Sequence, residues 1–104
     1  MQTQITARHF DASLNLKEYA STRLSKLERY YNGITDAHVI LTNGTTAPSD
    51  KHAEITLGVY RQRLSARRAG STYEEAIDSC VENLRRQLLR YKAKLRDTSK
   101  EAHR

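Results

Sequence analysis

Residues 51–96 read KHAEITLGVYRQRLSARRAGSTYEEAIDSCVENLRRQLLRYKAKLR, and a change of period inside that stretch decides the fold. Up to Ala69 the apolar residues alternate. Ala53, Ile55, Leu57 and Val59 fall on one face of a strand over 51–60, and Leu64 and Ala66 on one face of a second over 61–69, because successive strand side chains point to opposite sides. Little sequence separates the two, so a tight antiparallel hairpin is expected near Val59–Gln62. Gly70-Ser71 breaks the alternation. Beyond it, Ile77, Val81, Leu84, Leu88, Tyr91 and Leu95 fall in a narrow sector of a 3.6-residue period. Thr72-Tyr-Glu-Glu75 has the form of a capping box. The spacing predicts a helix to about Asp97, roughly 26 residues or ~39 Å. Its acids (Glu74, Glu75, Asp78) lie in the first turns and its cations in the last, which suits the helix dipole at both ends.

Upstream, residues 3–8 alternate, with Thr3, Ile5 and Ala7 on one face, and read as a strand. Ser13 is a good N-cap. Leu16, Ala20, Leu24, Leu27 and Tyr31 then recur at helical spacing, predicting a helix to about Tyr31 that Asn32-Gly33 stops. Residues 36–42 alternate again, with Ala37, Val39 and Leu41 on the inward side. Asn43 to Asp50 is rich in turn residues and reads as a mobile loop. The order is β-α-β-β-β-α. A helical crossover makes the first two strands parallel if they are adjacent, and the rest is a meander. Each helix has one apolar face, so both should cover the same side of the sheet. The expected fold is a two-layer α+β sandwich, a four-stranded mixed sheet with both helices on one face, like a double-stranded-RNA-binding domain. Residues 1–97 form one domain in this reading, and 98–104, lacking an apolar anchor, form a flexible tail.

Function is read from charge. The chain has 104 residues and a net charge of +6. Ten of its eighteen basic residues sit in two acid-free runs: Arg61, Arg63, Arg67 and Arg68 in the first, Arg85, Arg86, Arg90, Lys92, Lys94 and Arg96 in the second. On the strand, Arg61, Arg63, Ser65 and Arg67 should share the face away from the core. On the helix, Arg86, Arg90 and Lys94 make an i, i+4, i+8 ridge, and Arg85, Lys92 and Arg96 make a stripe beside the apolar sector. Arg23 and Lys26 add charge on the first helix. Such a displayed surface points to a polyanion, with RNA or DNA first. Taken singly, each cation is more often a solvated residue. The clustering is what carries the argument. Tyr60, Tyr19 and Tyr30 are candidates to stack on bases, although packing is the commoner role for tyrosine.

Other chemistry is poorly supported. One cysteine, Cys80, allows no intramolecular disulfide and reads as a small semi-buried residue. His9, His38, His52 and His103 show no metal-ligand spacing. No GxGxxG, P-loop or GxSxG motif is present. Glu74 and Glu75 diverge by ~100° on a helix and cannot work as a pair. No catalysis, metal or cofactor is expected. No stretch is long and apolar enough to span a membrane, and no signal peptide is visible, so a reducing cytoplasm is expected. RNA-recognition modules of the βαββαβ type have a different element order and stacking aromatics that this chain lacks.

The sequence resembles the short ribosome hibernation-promoting factor and ribosome-associated inhibitor family, also labelled sigma-54 modulation protein. The resemblance covers essentially residues 1–97. It rests on Met1-Gln-Thr-Gln-Ile-Thr-Ala-Arg8, Lys26-Leu27-Glu28-Arg29-Tyr30-Tyr31, Ala76-Ile77-Asp78, Leu84-Arg85-Arg86-Gln87-Leu88 and Arg90-Tyr91-Lys92-Ala93-Lys94-Leu95. It implies a non-enzymatic protein that sits on the small ribosomal subunit in the mRNA and tRNA channel. Such a protein contacts rRNA through basic helix residues and stops translation in stationary or stressed cells. Arg23, Lys26, Arg86, Arg90, Lys92 and Lys94 match the family's basic pattern. Arg61, Arg63, Arg67 and Arg68 match it loosely, so their assignment, like that of Arg85, rests on charge. The length and short tail fit the short type, a monomer when free that acts with a separate small ribosome-pairing factor, rather than the long, self-dimerising type. Two alternatives stand beside this: a double-stranded-RNA-binding module, and a protein-binding modulator of sigma-54 transcription.

Overall fold

The computed structural model describes residues 1–43 and 50–102, with the side chains of the last helix described as far as Arg96. Its elements are β1 (Gln2–Arg8), α1 (Leu14–Ser25), a 3₁₀ turn (Lys26–Arg29), β2 (Asp36–Asn43), β3 (Lys51–Val59), β4 (Gln62–Gly70) and α2 (Tyr73–Ala102). The strands lie in the order β1-β2-β3-β4. β1 and β2 are parallel, as a helical crossover requires, and the other pairs are antiparallel. The α+β sandwich expected from the sequence is therefore the fold observed.

β2, β3 and β4 bury the face their alternation indicated, whereas in the edge strand β1 no residue is buried: Thr3 is exposed, and Ile5 packs partly buried against the core. Val39, Leu41, Ala53, Ile55 and Leu57 are fully buried and Leu64 and Ala66 nearly so. α2 lies across β3 and β4 with α1 beside it. Leu16, Ala20, Leu24 and Leu27 close the same core against Ile77, Leu84 and Leu88. Each fully buried Leu or Ile contributes about 1.5–3 kcal/mol relative to an exposed one. The α2 stripe is centred one step from where the sequence placed it. Ala76 and Cys80 are fully buried, whereas Val81 and Leu95 only pack against the core margin. Cys80, expected to be semi-buried, points its Sγ at the carbonyls of Ala53 (3.4 Å) and Ala66 (3.6 Å).

The caps follow the sequence closely. Ser13 Oγ accepts the Leu16 N–H at 3.1 Å. Thr72 Oγ1 accepts the Glu75 N–H at 3.1 Å, but Glu75 reaches back one residue further than a capping box, taking the Ser71 N–H (3.0 Å) and hydroxyl (2.7 Å). These bonds hold the Glu75 carboxyl below its usual range, the Ser71 hydroxyl contributing most.

Four details differ from the sequence reading. The first helix tightens to 3₁₀ at Lys26 instead of continuing as α to Tyr31, a common way to satisfy terminal carbonyls. Gly33 is not in the left-handed region. It is small because a Cβ there would lie 2.5 Å from the Tyr31 ring, which is itself pinned edge-on against Tyr91. Arg61 is not a strand residue: it occupies the second position of a two-residue turn with φ 68°, which costs a non-glycine residue roughly 1–2 kcal/mol. Finally, α2 runs past Asp97 to Ala102. No Gly or Pro interrupts residues 97–102, and adding residues to a formed helix is easy compared with starting one. The expected loop falls largely on 44–49, and the tail ends with His103 and Arg104. Both segments lie outside the described residues.

Candidate nucleic-acid interface

α2 displays its charge in two flanks and a crest. One flank faces α1 and the 3₁₀ turn. There Arg85 is bound to Glu82 (Nη2–Oε1 2.6 Å) and lies 5.8 Å from the Tyr30 ring centroid. Across the helix seam, Arg23 Nε is 3.0 Å from Asp78 Oδ1, and the guanidinium lies over Tyr19. Tyr19 donates its hydroxyl to Asp78 at 2.8 Å, so one acid on α2 holds two residues of α1. The Tyr19 hydroxyl, and then the Asp78 carboxylate, raise Arg23 above the ordinary arginine value. The Glu82 carboxylate does the same for Arg85 and is lowered in turn. Both arginines are thus fixed as cations, with their charge partly neutralised.

Farther along this flank, Arg29, Lys92 and Arg96 line a cleft of about 430 Å³ over Tyr30, Tyr31 and Leu95, with Glu28 as its one acid. Arg86 stands exposed on the crest. The opposite flank faces the β4 edge. There Arg90 and Lys94 border a groove of about 350 Å³ with Gln62, Leu64, Gln87 and Tyr91. Gln87 closes the groove's near end by donating to the Ser65 carbonyl at 2.8 Å.

Two basic residues of β4 do not join this surface. Arg63 and Arg67 project from the face of the sheet opposite the helices. The register sets Arg63 in line with Gly58 and Asp36. Because Gly58 has no side chain, the Asp36 carboxylate crosses it to meet Arg63 Nη2 at 2.8 Å, and a Cβ at 58 would fall 2.1 Å from Asp36 Oδ1. The Thr35 hydroxyl, and then Arg63, hold Asp36 below its usual range. Arg67 and Arg8 line a small pocket with Thr42, His52 and Glu54 on that open face. Arg68 is exposed and donates to the Arg67 carbonyl. Arg61 is at the hairpin tip.

The helix layer therefore gathers Arg23, Lys26, Arg85, Arg86, Arg90, Lys92 and Lys94, and leaves Arg63 and Arg67 on the other side. It also brings in Arg29, which the sequence reading did not select. A continuous α-helix gives Arg29 no special place, whereas the tighter 3₁₀ turn puts it on the cleft with Lys92. Lys26, Arg29, Arg86, Arg90, Lys92, Lys94 and Arg96 are all exposed and make no ion pair among the described residues. Unpaired guanidinium and ammonium groups in a row can each take a phosphate oxygen, the guanidinium in a bidentate way. Among the described residues, no three of His, Cys, Asp and Glu are grouped to hold a metal ion, and no helix is long and apolar enough to cross a membrane. Burial pushes the Cys80 thiol up to about 11, leaving almost no thiolate to act as a nucleophile near neutral pH.

Residues 3–96 match the family described as sigma 54 modulation protein / S30EA ribosomal protein. The chain belongs to this family. Among its relatives, the ribosome hibernation promoting factor of Salmonella typhimurium is 34% identical over 97 residues, spanning 92% of this chain and 98% of that protein. The Escherichia coli protein of the same name is 32% identical over the same coverage. A ribosome hibernation promotion factor of Deinococcus radiodurans is 30% identical over 88% of this chain, but the match takes in only 49% of that longer protein. Solved structures agree in fold. A ribosomal subunit interface protein from Coxiella burnetii superposes with a TM-score of 0.81 at 22% identity, over 89% of this chain and 99% of that one. The N-terminal domain of Thermus thermophilus Protein Y gives 0.78 at 23%, over 88% and 99%. Family members thus carry this sandwich as a whole protein or as part of a longer one.

Proposed function

We propose that this protein is a ribosome hibernation factor: it binds the small ribosomal subunit through rRNA in the mRNA and tRNA channel and halts translation in stationary or stressed bacterial cells. Residues 1–97 are the binding domain. The reading is carried by the row of exposed, unpaired cations on the helix layer of a domain whose relatives bear that name. Arg23, Lys26, Arg85, Arg86, Arg90, Lys92 and Lys94 contact phosphates, and the folded domain fills volume that mRNA and tRNA need. The action is electrostatic and steric, needs no cofactor, and takes place in the cytoplasm where ribosomes are. The free protein is a monomer, and pairing of silenced ribosomes falls to a separate small factor.

Arg86 and Arg90 are exposed and make no ion pair among the described residues. Arg86→Glu combined with Arg90→Glu should therefore abolish co-sedimentation with small subunits while leaving the circular dichroism spectrum and melting curve near wild type. A folded double variant that still pellets at wild-type levels would refute the assignment. Sucrose gradients run with the protein and with translating extract test the consequence, accumulation of silent ribosomes.

A further inference from the structure

We infer that the groove between the end of α2 and the β3–β4 hairpin holds an unpaired nucleotide, its base stacked at Tyr60 and its phosphates on Arg90 and Lys94. The inference rests on the ribosome-binding reading and adds to it a site for a single-stranded base, which phosphate contacts alone do not supply.

Of the seven aromatic residues, Tyr60 alone is exposed, at 60%. The other two candidates named from the sequence are occupied: Tyr19 is bonded to Asp78 and Tyr30 is half-buried under Arg85. Tyr60 is also held in place. Its carbonyl accepts the Tyr91 hydroxyl, and Tyr91 is buried and braced edge-on by Tyr31. Arg61 lies over the Tyr60 ring at 5.2 Å from its centroid. The positive φ of Arg61 is unusual for any residue but glycine, and strained residues of this kind concentrate where a side chain has a task. Here the strain presents a ring and a planar cation together at the hairpin tip. Both are surfaces on which any base can stack.

Beside the ring is a cavity of about 230 Å³ lined by Tyr60, Arg61, Gln62, Tyr91, Lys94 and Leu95. It continues into the Arg90 groove, with which it shares Gln62, Tyr91 and Lys94. Neither part is lined by an acid. An apolar floor of Tyr91 and Leu95, an amide at Gln62 and two cations on one helix suit a flat heterocycle joined to a phosphodiester. Arg90 and Lys94 are ~6 Å apart along the helix axis, about one nucleotide step along an extended strand. A duplex cannot offer a base to Tyr60 without unpairing, so the occupant is single-stranded.

The chain contains no tryptophan, so Tyr60→Trp makes a sole tryptophan at an exposed position, one that can be excited selectively beyond the tyrosine absorption band. Single-stranded oligouridylate added at low salt should quench that emission. An abasic oligomer of the same sugar-phosphate length should bind without quenching. In the otherwise wild-type chain, Tyr60→Ala should weaken small-subunit affinity by about tenfold, within the range expected for one stacked base, while Tyr60→Phe restores it. The inference is overturned if the abasic oligomer quenches equally, or if Tyr60→Ala binds subunits like wild type. When either happens and Arg86→Glu with Arg90→Glu still loses binding, only the nucleotide groove is lost. When the wild-type chain itself does not pellet with subunits, the ribosome reading falls separately.

Discussion

Glu75 shows how a single side chain ties this fold to pH. Its carboxylate accepts two bonds from Ser71, which lower its pKa in the folded state. Asp36 and Glu82 are lowered for parallel reasons, by Thr35 and Arg63 and by Arg85. A carboxyl with a depressed folded pKa contributes stability that is fully present above its unfolded value and is lost as pH falls through the folded one. These three carboxyls should therefore contribute a constant amount above the ordinary carboxylate range, and the domain should weaken as pH falls below it. Ser71→Ala removes the largest cause, so the Glu75 titration followed by carboxyl NMR should move up toward the ordinary value, with the acid-unfolding midpoint shifting to higher pH. An unchanged Glu75 titration would show that the Ser71 hydroxyl bond does not persist in solution. At this scale the sequence was partly legible. Ser13 and Thr72 were readable as caps because the partner of an N-cap is always two or three residues away. The reach of Glu75 to Ser71 rather than Thr72 was not, since it depends on how β4 delivers Gly70 into the turn.

Between elements, the seam of α1 and α2 is tied by the Tyr19 hydroxyl on Asp78, with Arg23 on the same acid. Tyr19→Phe keeps the ring and removes the donor. A hydrogen bond to a charged group contributes about 1.5–3 kcal/mol, and partial exposure discounts this toward ~1 kcal/mol. For a domain of this size that is a fall in melting temperature of about 4–8 °C, readable by calorimetry. An unchanged melting temperature would make the tie a surface contact of no consequence. The elements themselves were legible wherever period decides. Alternation gave the inward faces of β2, β3 and β4, and the 3.6-residue spacing gave both helices. Where two structures share a spacing, the sequence did not choose. Leu24, Leu27 and Tyr31 fit an α-helix as well as a helix tightening to 3₁₀, and residues 97–102 contain nothing that either requires or stops α2. The hairpin's place at Val59–Gln62 was legible, but its geometry was not: the positive φ at Arg61 is offset by tertiary contacts of the hairpin tip, not announced by a Gly or Asn.

Across the whole molecule, the two layers divide a charge that composition gives as one number. The basic runs were visible in the sequence, and so was the outward direction of Arg63 and Arg67, but not that Arg63 is paired on the sheet while the crest of α2 stays unpaired. That depends on Asp36 crossing Gly58 to Arg63, a meeting of three strands that no local pattern encodes. The division has a measurable consequence for the proposed binding. Each phosphate contact releases counterions and adds about 0.7–0.9 to the steepness with which log K falls against log salt. If most of the unpaired helix-layer cations engage rRNA, a slope of about −5 is expected for small-subunit binding. Lys92→Gln should make that slope shallower by about one. Arg63→Gln should leave it unchanged, because Arg63 is already neutralised on the layer facing away. Equal losses from the two substitutions would mean that the open sheet face also lies against rRNA, and a slope near zero would remove phosphate contact from the mechanism altogether.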